Sequence, residues 1–224
     1  MARVKICGLG RERDMRVAAA AGADAVGFIT DVSVDTPREV DPAWAAALAE
    51  SAPPFVTTVA VTMPDTVDDA VALVEQIHPD AIQIHAGFTP EAVSELGERT
   101  NVDVFVAIDA GETERARELE GIADALLVDS LTEAGAGGSG ETHDWEATRD
   151  LVTELSTPIV LAGGLTPANV AEAIETVAPT AVDVASGVEI PGGDGAKDDR
   201  AIRAFIETAG RKLQYPEPAA SGEH

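Results

Sequence analysis

The chain has 224 residues and a formal net charge of −25, set by 40 acidic side chains against 15 basic ones. Such a surface argues against nucleic acid, whose phosphates are held by clustered Lys and Arg that this chain lacks, and no apolar run reaches the length that spans a membrane. With 45% apolar residues in regular runs the chain can still bury one sizeable core, so the acidity is that of a solvated surface suited to high salt and a halophilic host. A single cysteine, Cys7, allows no internal disulfide, and the N-terminus carries no apolar signal core, so the expected location is cytoplasmic.

In chain order, residues 3–8 open as a strand, 14–21 are an alanine-rich helix, and 22–28 turn back into a strand. An acid or threonine, then alanine, then an aliphatic run recurs from Asp24, Asp80, Asp124 and Thr180. These spacings are about twice a compact βα unit, so the repeat marks every second strand. Runs at 55–61, 102–108 and 158–162 fall between them and bring the count to eight. Segments 42–50, 66–77, 90–99, 113–119, 145–155, 167–176 and 198–212 carry helical patterning. Asp41-Pro42, Thr89-Pro90 and Thr166-Pro167 each put a capping side chain before a proline at the first helical position. Eight alternating βα units predict an α/β fold, a single (β/α)8 TIM barrel over residues 1–212, with 213–224 as a flexible C-terminal tail.

Two strands break abruptly into glycine, at Leu161-Ala162-Gly163-Gly164 and at Ala185-Ser186-Gly187. They are counted as the seventh and eighth, after which this fold commonly places bare backbone N–H groups around a phosphate. Strand parity turns Lys5 and Cys7, Gln83 and His85, Asp129, and Asp183 toward the barrel interior, so the mouth holds a thiol, carboxylates, a glutamine and an imidazole. Cys7 stands at a strand end two residues from Lys5 on the same face, where an ammonium lowers a thiol's pKa; core filler is the plainer alternative. Asp129 is a candidate acid or a turn cap, Asp109 is its rival, and Gly111 beside Asp109 favours a turn there. Gln83 and His85 are either catalysts or a mutually satisfied polar pair. The histidines show no ligand spacing, which argues against a metal site. Gly135 to Gly140 matches G-x-G-x-x-G but starts well past its strand, so it is expected to be a flap or connector over the mouth and not a dinucleotide loop. Arg38, after Thr36-Pro37, is placed either to clamp a carboxylate bidentately or to sit on the surface.

Lys5-Ile6-Cys7-Gly8, Thr36-Pro37-Arg38, Gln83-Ile84-His85, Val128-Asp129-Ser130, Gly138-Ser139-Gly140 ahead of Asp144-Trp145, Leu161-Ala162-Gly163-Gly164-Leu165 and Ser186-Gly187-Val188-Glu189 occur in an order that resembles the phosphoribosylanthranilate isomerases of tryptophan biosynthesis. The chain departs from that pattern at Ala86, which precedes Gly87, and at Thr36, where Ser is frequent. The resemblance implies an Amadori rearrangement of a phosphorylated small molecule without a cofactor, in a monomer or homodimer. It implies Cys7 as base and Asp129 as acid, with Arg38, Gln83, His85 and Asp183 around the substrate and Gly140, Gly163, Gly164, Ser186 and Gly187 around its phosphate. Two competing classes are another phosphate-gripping barrel, such as a sugar-phosphate epimerase or an indole-forming lyase, and a non-catalytic phosphometabolite-binding protein.

The charge itself makes a prediction about stability. Folding concentrates like charges that dilute buffer leaves unscreened, since the Debye length is ~30 Å at 0.01 M and ~3 Å at 1 M ionic strength. The thermal midpoint, followed by circular dichroism, is expected to climb steeply as KCl rises toward molar levels, and a flat midpoint would rule out a salt-adapted surface.

Overall fold

A computed structural model describes residues 2–85, 87–129 and 145–210. The order is β1 (Arg3–Ile6), α1 (Glu12–Ala21), β2 (Ala25–Ile29), α2 (Pro42–Glu50), β3 (Thr57–Thr62), α3 (Val67–Ile77), β4 (Ala81–Ile84), α4 (Pro90–Arg99) and β5 (Asp103–Asp109). Then come α5 (Thr113–Glu118), β6 (Ala125–Asp129), α6 (Trp145–Glu154), β7 (Ile159–Leu161), α7 (Val170–Val177), β8 (Ala181–Val184), a 3-10 turn (Ser186–Val188) and α8 (Asp199–Thr208). All strands are parallel and β8 pairs back onto β1, so the sheet closes as the repeat predicted. The expected flap and tail lie outside the described residues.

Local chemistry explains the element boundaries. Asp41 accepts a hydrogen bond from Ala43 N and Thr89 from Ala92 N, so both capping expectations hold. The third is corrected. α7 begins at Val170, because the Asn169 side chain accepts from Thr166 N and Thr166 Oγ1 accepts from Ala168 N, spending Thr166-Pro167 on a turn ahead of the helix. The strand expected from residue 55 starts instead at Thr57; Phe55 has φ +71 and is fully exposed.

The register sorts the interior into layers of four drawn from alternate strands, as a barrel with this stagger requires. The lowest is Ala25, Ala81, Ala125 and Ala181, the alanines of the sequence repeat. Above it come Lys5, Val59, Phe105 and Val160, then Gly27, Gln83, Leu127 and Asp183, then Cys7, Val61, Ala107 and Ala162. Outward residues of the strands, Val4 and Ile6 among them, pack with Met15, Phe205 and the other helix faces in the main apolar core.

The acid of the repeat has its own task. In β1, β3 and β5 the N–H of the second residue goes to the aspartate ahead of the next strand: Asp24 accepts from Val4 N at 2.7 Å, Asp80 from Thr58 N at 2.8 Å, Asp124 from Val104 N at 2.8 Å. Asp80 also accepts from Thr58 Oγ1 at 2.8 Å. Replacing Asp80 by Ala is expected to cost about 1 kcal/mol, roughly 2–4 °C in Tm for a chain of this size. Denaturant melts in molar KCl check it, and an unchanged midpoint would show that water serves those donors equally well.

Candidate active site

A cavity of about 230 Å3 opens at the C-terminal ends of the strands. Cys7, Arg38, Gln83, His85, Asp129, Gly163, Gly164, Asp183 and Ser186 line it, so strand parity brings together nearly all the residues singled out from sequence. Gly187 lies just behind the lining, where an added Cβ would overlap the carbonyl oxygen of Leu165. That contact holds the turn after β8 against the turn after β7. Gly163 and Gly164 have φ +83 and +61, a left-handed pair that suits glycine and bends the backbone around the cavity edge. Gly140 lies outside the described residues.

Cys7 is buried at the end of β1. Beneath it Lys5 reaches across the interior to Asp183, Nζ to Oδ1 3.1 Å, with both side chains under a tenth exposed. Room for this comes from Gly27, since a Cβ there would stand 2.9 Å from Cys7 Sγ and 3.2 Å from Lys5 Nζ. Burial works to lower the pKa of Lys5, but the charges of Asp183 and Cys7 outweigh it and raise the net value, so the ammonium persists inside the barrel. The sequence expectation of a lowered thiol pKa is corrected. Burial pushes the Cys7 thiol up, and Lys5 only moderates the rise because its charge is already engaged by Asp183.

Asp129 is 6% exposed at the tip of β6, three strands around the barrel from Cys7. Its rival Asp109 does not line the cavity and instead accepts from Gly111 N at 2.8 Å, the turn role its sequence suggested. Gln83 Nε2 and His85 Nε2 are 2.6 Å apart, the polar pair foreseen, while the buried Oε1 of Gln83 meets no partner among the described residues.

Arg38 comes from the loop after β2, and its stem crosses Gly8, where a Cβ would stand 2.9 Å from Arg38 Cδ. Its Nε and Nη2 donate to Glu189 at 2.7 and 3.2 Å, and Lys197 Nζ donates to the same carboxylate at 2.9 Å. Burial alone would raise the pKa of Glu189, yet the hydrogen bonds from Arg38 and Lys197 hold it below the usual carboxylate range. Sequence reasoning assigned neither Glu189 nor Lys197 a role. One signal was present: in a chain with 15 basic residues and 40 acids, Lys197 is one of only three lysines; the structure adds that it is almost wholly buried.

The thiol offers a direct test of this electrostatic picture. The thiolate is the form that alkylates, and burial disfavours it, so the midpoint of the iodoacetamide rate against pH is expected above the ~8.5 of an ordinary thiol. A midpoint at or below that value would mean Lys5 dominates over burial.

Comparison with known proteins agrees with this geometry. Residues 4–208 match the family profile described as N-(5'-phosphoribosyl)anthranilate (PRA) isomerase. A relative of that name from Halorubrum lacusprofundi is 54% identical over 214 residues, covering 96% of this chain and 99% of its own, and one from Natronomonas pharaonis is 54% identical over 210 residues, covering 94% and 99%. Among solved structures, the phosphoribosyl anthranilate isomerase of Thermotoga maritima superposes with a TM-score of 0.80 at 32% identity, over 93% of this chain and 98% of that one. Another, in complex with reduced 1-(o-carboxyphenylamino)-1-deoxyribulose 5-phosphate, gives 0.78 at 30% identity over the same shares. A closed barrel with thiol and carboxylate facing one cavity, matched over nearly its whole length by these enzymes, makes this chain a member of the phosphoribosylanthranilate isomerase family.

Proposed function

We propose that this chain performs its family's reaction, the Amadori rearrangement of N-(5-phosphoribosyl)anthranilate to 1-(2-carboxyphenylamino)-1-deoxyribulose 5-phosphate in tryptophan biosynthesis, in the cytoplasm. The observation that carries the proposal is that Cys7 and Asp129 line one cavity beside the glycine turns that follow β7 and β8. Asp129 donates a proton to the furanose ring oxygen as the C1–O bond breaks, and the anilino nitrogen lone pair forms the C1=N iminium. The iminium draws electrons from C2, so the C2–H bond becomes acidic. Cys7, as thiolate, takes that proton, and the bonding pair moves toward C1 and neutralises the iminium to an enolamine. Protonation at C1 and loss of the C2 hydroxyl proton complete the ketone, so the step is an isomerisation with no net gain or loss of atoms or electrons.

Burial of Cys7 has two opposed effects here. It reduces the thiolate population at neutral pH, and it makes each thiolate a stronger base for a carbon acid. Lys5 limits the first effect. The substrate phosphate sits against backbone N–H groups of the Gly163-Gly164 and Ser186-Gly187 turns; the left-handed Gly163 and Gly164 and the close approach of Gly187 to Leu165 O support such a cradle. Gly140 is assigned to the same cradle by resemblance. Arg38 meets the anthranilate carboxylate, and Gln83, His85 and Asp183 shape the floor and wall between the two anionic groups.

Fluorescence-monitored consumption of freshly made phosphoribosylanthranilate tests the assignment. Asp129→Asn and Cys7→Ser are each expected to lose on the order of 10²-fold or more in kcat, with affinity for the reduced product analogue retained within about threefold, because both groups act in proton transfer. If Asp129→Asn turned over at the wild-type rate while Asp109→Asn was inactive, the acid would have to be reassigned.

A further inference from the structure

We infer that Glu189 and Lys197 are positioning residues for Arg38: Glu189 fixes the guanidinium from behind, and Lys197 cancels the charge of Glu189 so that Arg38 still attracts an anionic group of the substrate. The inference rests on the proposed pairing of Arg38 with the substrate carboxylate. Arg38 lines the cavity, but neither Glu189 nor Lys197 does. The carboxylate occupies the Nε and Nη2 edge of Arg38, which leaves the Nη1 side of the fork without a hydrogen bond among the described residues. A planar donor held along one edge has its other edge aimed, and a carboxylate is best met by such a pre-set fork.

The mounting is rigid for reasons of sequence. Glu189 and Lys197 face each other in an isolated antiparallel bridge, flanked by hydrogen bonds from Ile190 N to Ala196 O at 2.9 Å and from Asp198 N to Val188 O at 2.8 Å. Lys197 Nζ also donates to Ala185 O at 3.0 Å, and Lys197 N to the buried Asp14, whose carboxylate is held by both Nε and Nη2 of Arg11. Gly195 closes over the Arg38 stem, where a Cβ would lie 3.3 Å from Cγ, and Gly8 passes under it. The arginine is therefore sandwiched between two glycines and gripped at its tip.

Charge explains why a second cation is needed. A lone Arg38–Glu189 pair is neutral and offers an incoming carboxylate a repulsive oxygen as well as donors. With Lys197 at 2.9 Å on the same carboxylate, the triad of two cations and one anion carries one net positive charge, and Arg38 is its member that lines the cavity. Replacement of Glu189 by Gln therefore separates attraction from positioning. It adds positive charge, which would by itself strengthen binding of an anion, and it removes the grip, which would weaken it.

The test uses the full chain in molar KCl, with phosphoribosylanthranilate as substrate and two inhibitors: reduced 1-(o-carboxyphenylamino)-1-deoxyribulose 5-phosphate and inorganic phosphate. Glu189→Gln is expected to raise KM and the inhibition constant of the carboxylate-bearing analogue by roughly tenfold or more, with kcat within about threefold and phosphate inhibition unchanged. Glu189→Asp should restore part of the loss, and Lys197→Met should weaken the analogue in the same selective way. Adding Glu189→Gln to Arg38→Ala should cost nothing further, since nothing remains to be aimed. Analogue binding by Glu189→Gln as tight as or tighter than wild type would overturn the inference, and so would equal weakening toward analogue and phosphate. If Arg38→Ala itself left KM and analogue binding unchanged, the pairing of Arg38 with the carboxylate would fall first, a result distinguishable from failure of the positioning alone.

Discussion

Closure of eight staggered parallel strands is the constraint on which the rest of this protein depends. Once β8 pairs with β1, alternate side chains have nowhere to go but a tube of fixed bore, and each must fit three companions from alternate strands. Four alanines form the lower layer, and Lys5 stands one layer higher. Gly27 then gives up its side chain so that Lys5 and Cys7 can share the space. Replacing that buried Lys5–Asp183 pair by apolar residues of similar size would in general cost little stability, because desolvation offsets most of its attraction. Beneath the thiol, Lys5 of that pair moderates the rise that burial imposes on Cys7.

The basic residues divide by task. Most arginines serve the surface, as in Arg99 with Asp68 and Glu95 or Arg117 with Glu154, where exposed pairs contribute at most about 1 kcal/mol each. Lys5 and Lys197 are instead buried, and each holds a carboxylate next to the cavity. A surface dominated by acids thus coexists with a mouth into which Arg38 faces, mounted on enclosed cation–carboxylate contacts. An anionic substrate can be attracted there although the protein as a whole repels it.

Much of this was visible in the chain. The recurring acid–alanine start of even strands disclosed the count of eight, because ahead of β2, β4 and β6 the aspartate accepts an N–H of the preceding strand and the alanine takes the inward place in the lower layer, two demands that recur at the same place in those units. Period-two alternation by itself turns Cys7, Gln83, His85, Asp129 and Asp183 inward, and all five line the cavity. Capping was legible at Asp41 and Thr89 and misleading at Thr166, whose hydroxyl accepts from Ala168 N and whose own N–H goes to the Asn169 side chain, closing a turn ahead of the helix.

By itself, then, the sequence determined the fold class, the strand parity and the polar strand residues at the mouth, all of which follow from periodicity within short stretches. It also carried, through its ordered motifs, the family. What it left undetermined were properties created by encounters between distant segments. The thiol pKa depends on how deeply Cys7 is buried and on whether Lys5 spends its charge on Asp183, 178 positions away. The aim of Arg38 depends on Glu189, 151 positions away, and on glycines from two other loops. Desolvation and ion pairing act through space and not along the chain, so only the closed barrel decided them.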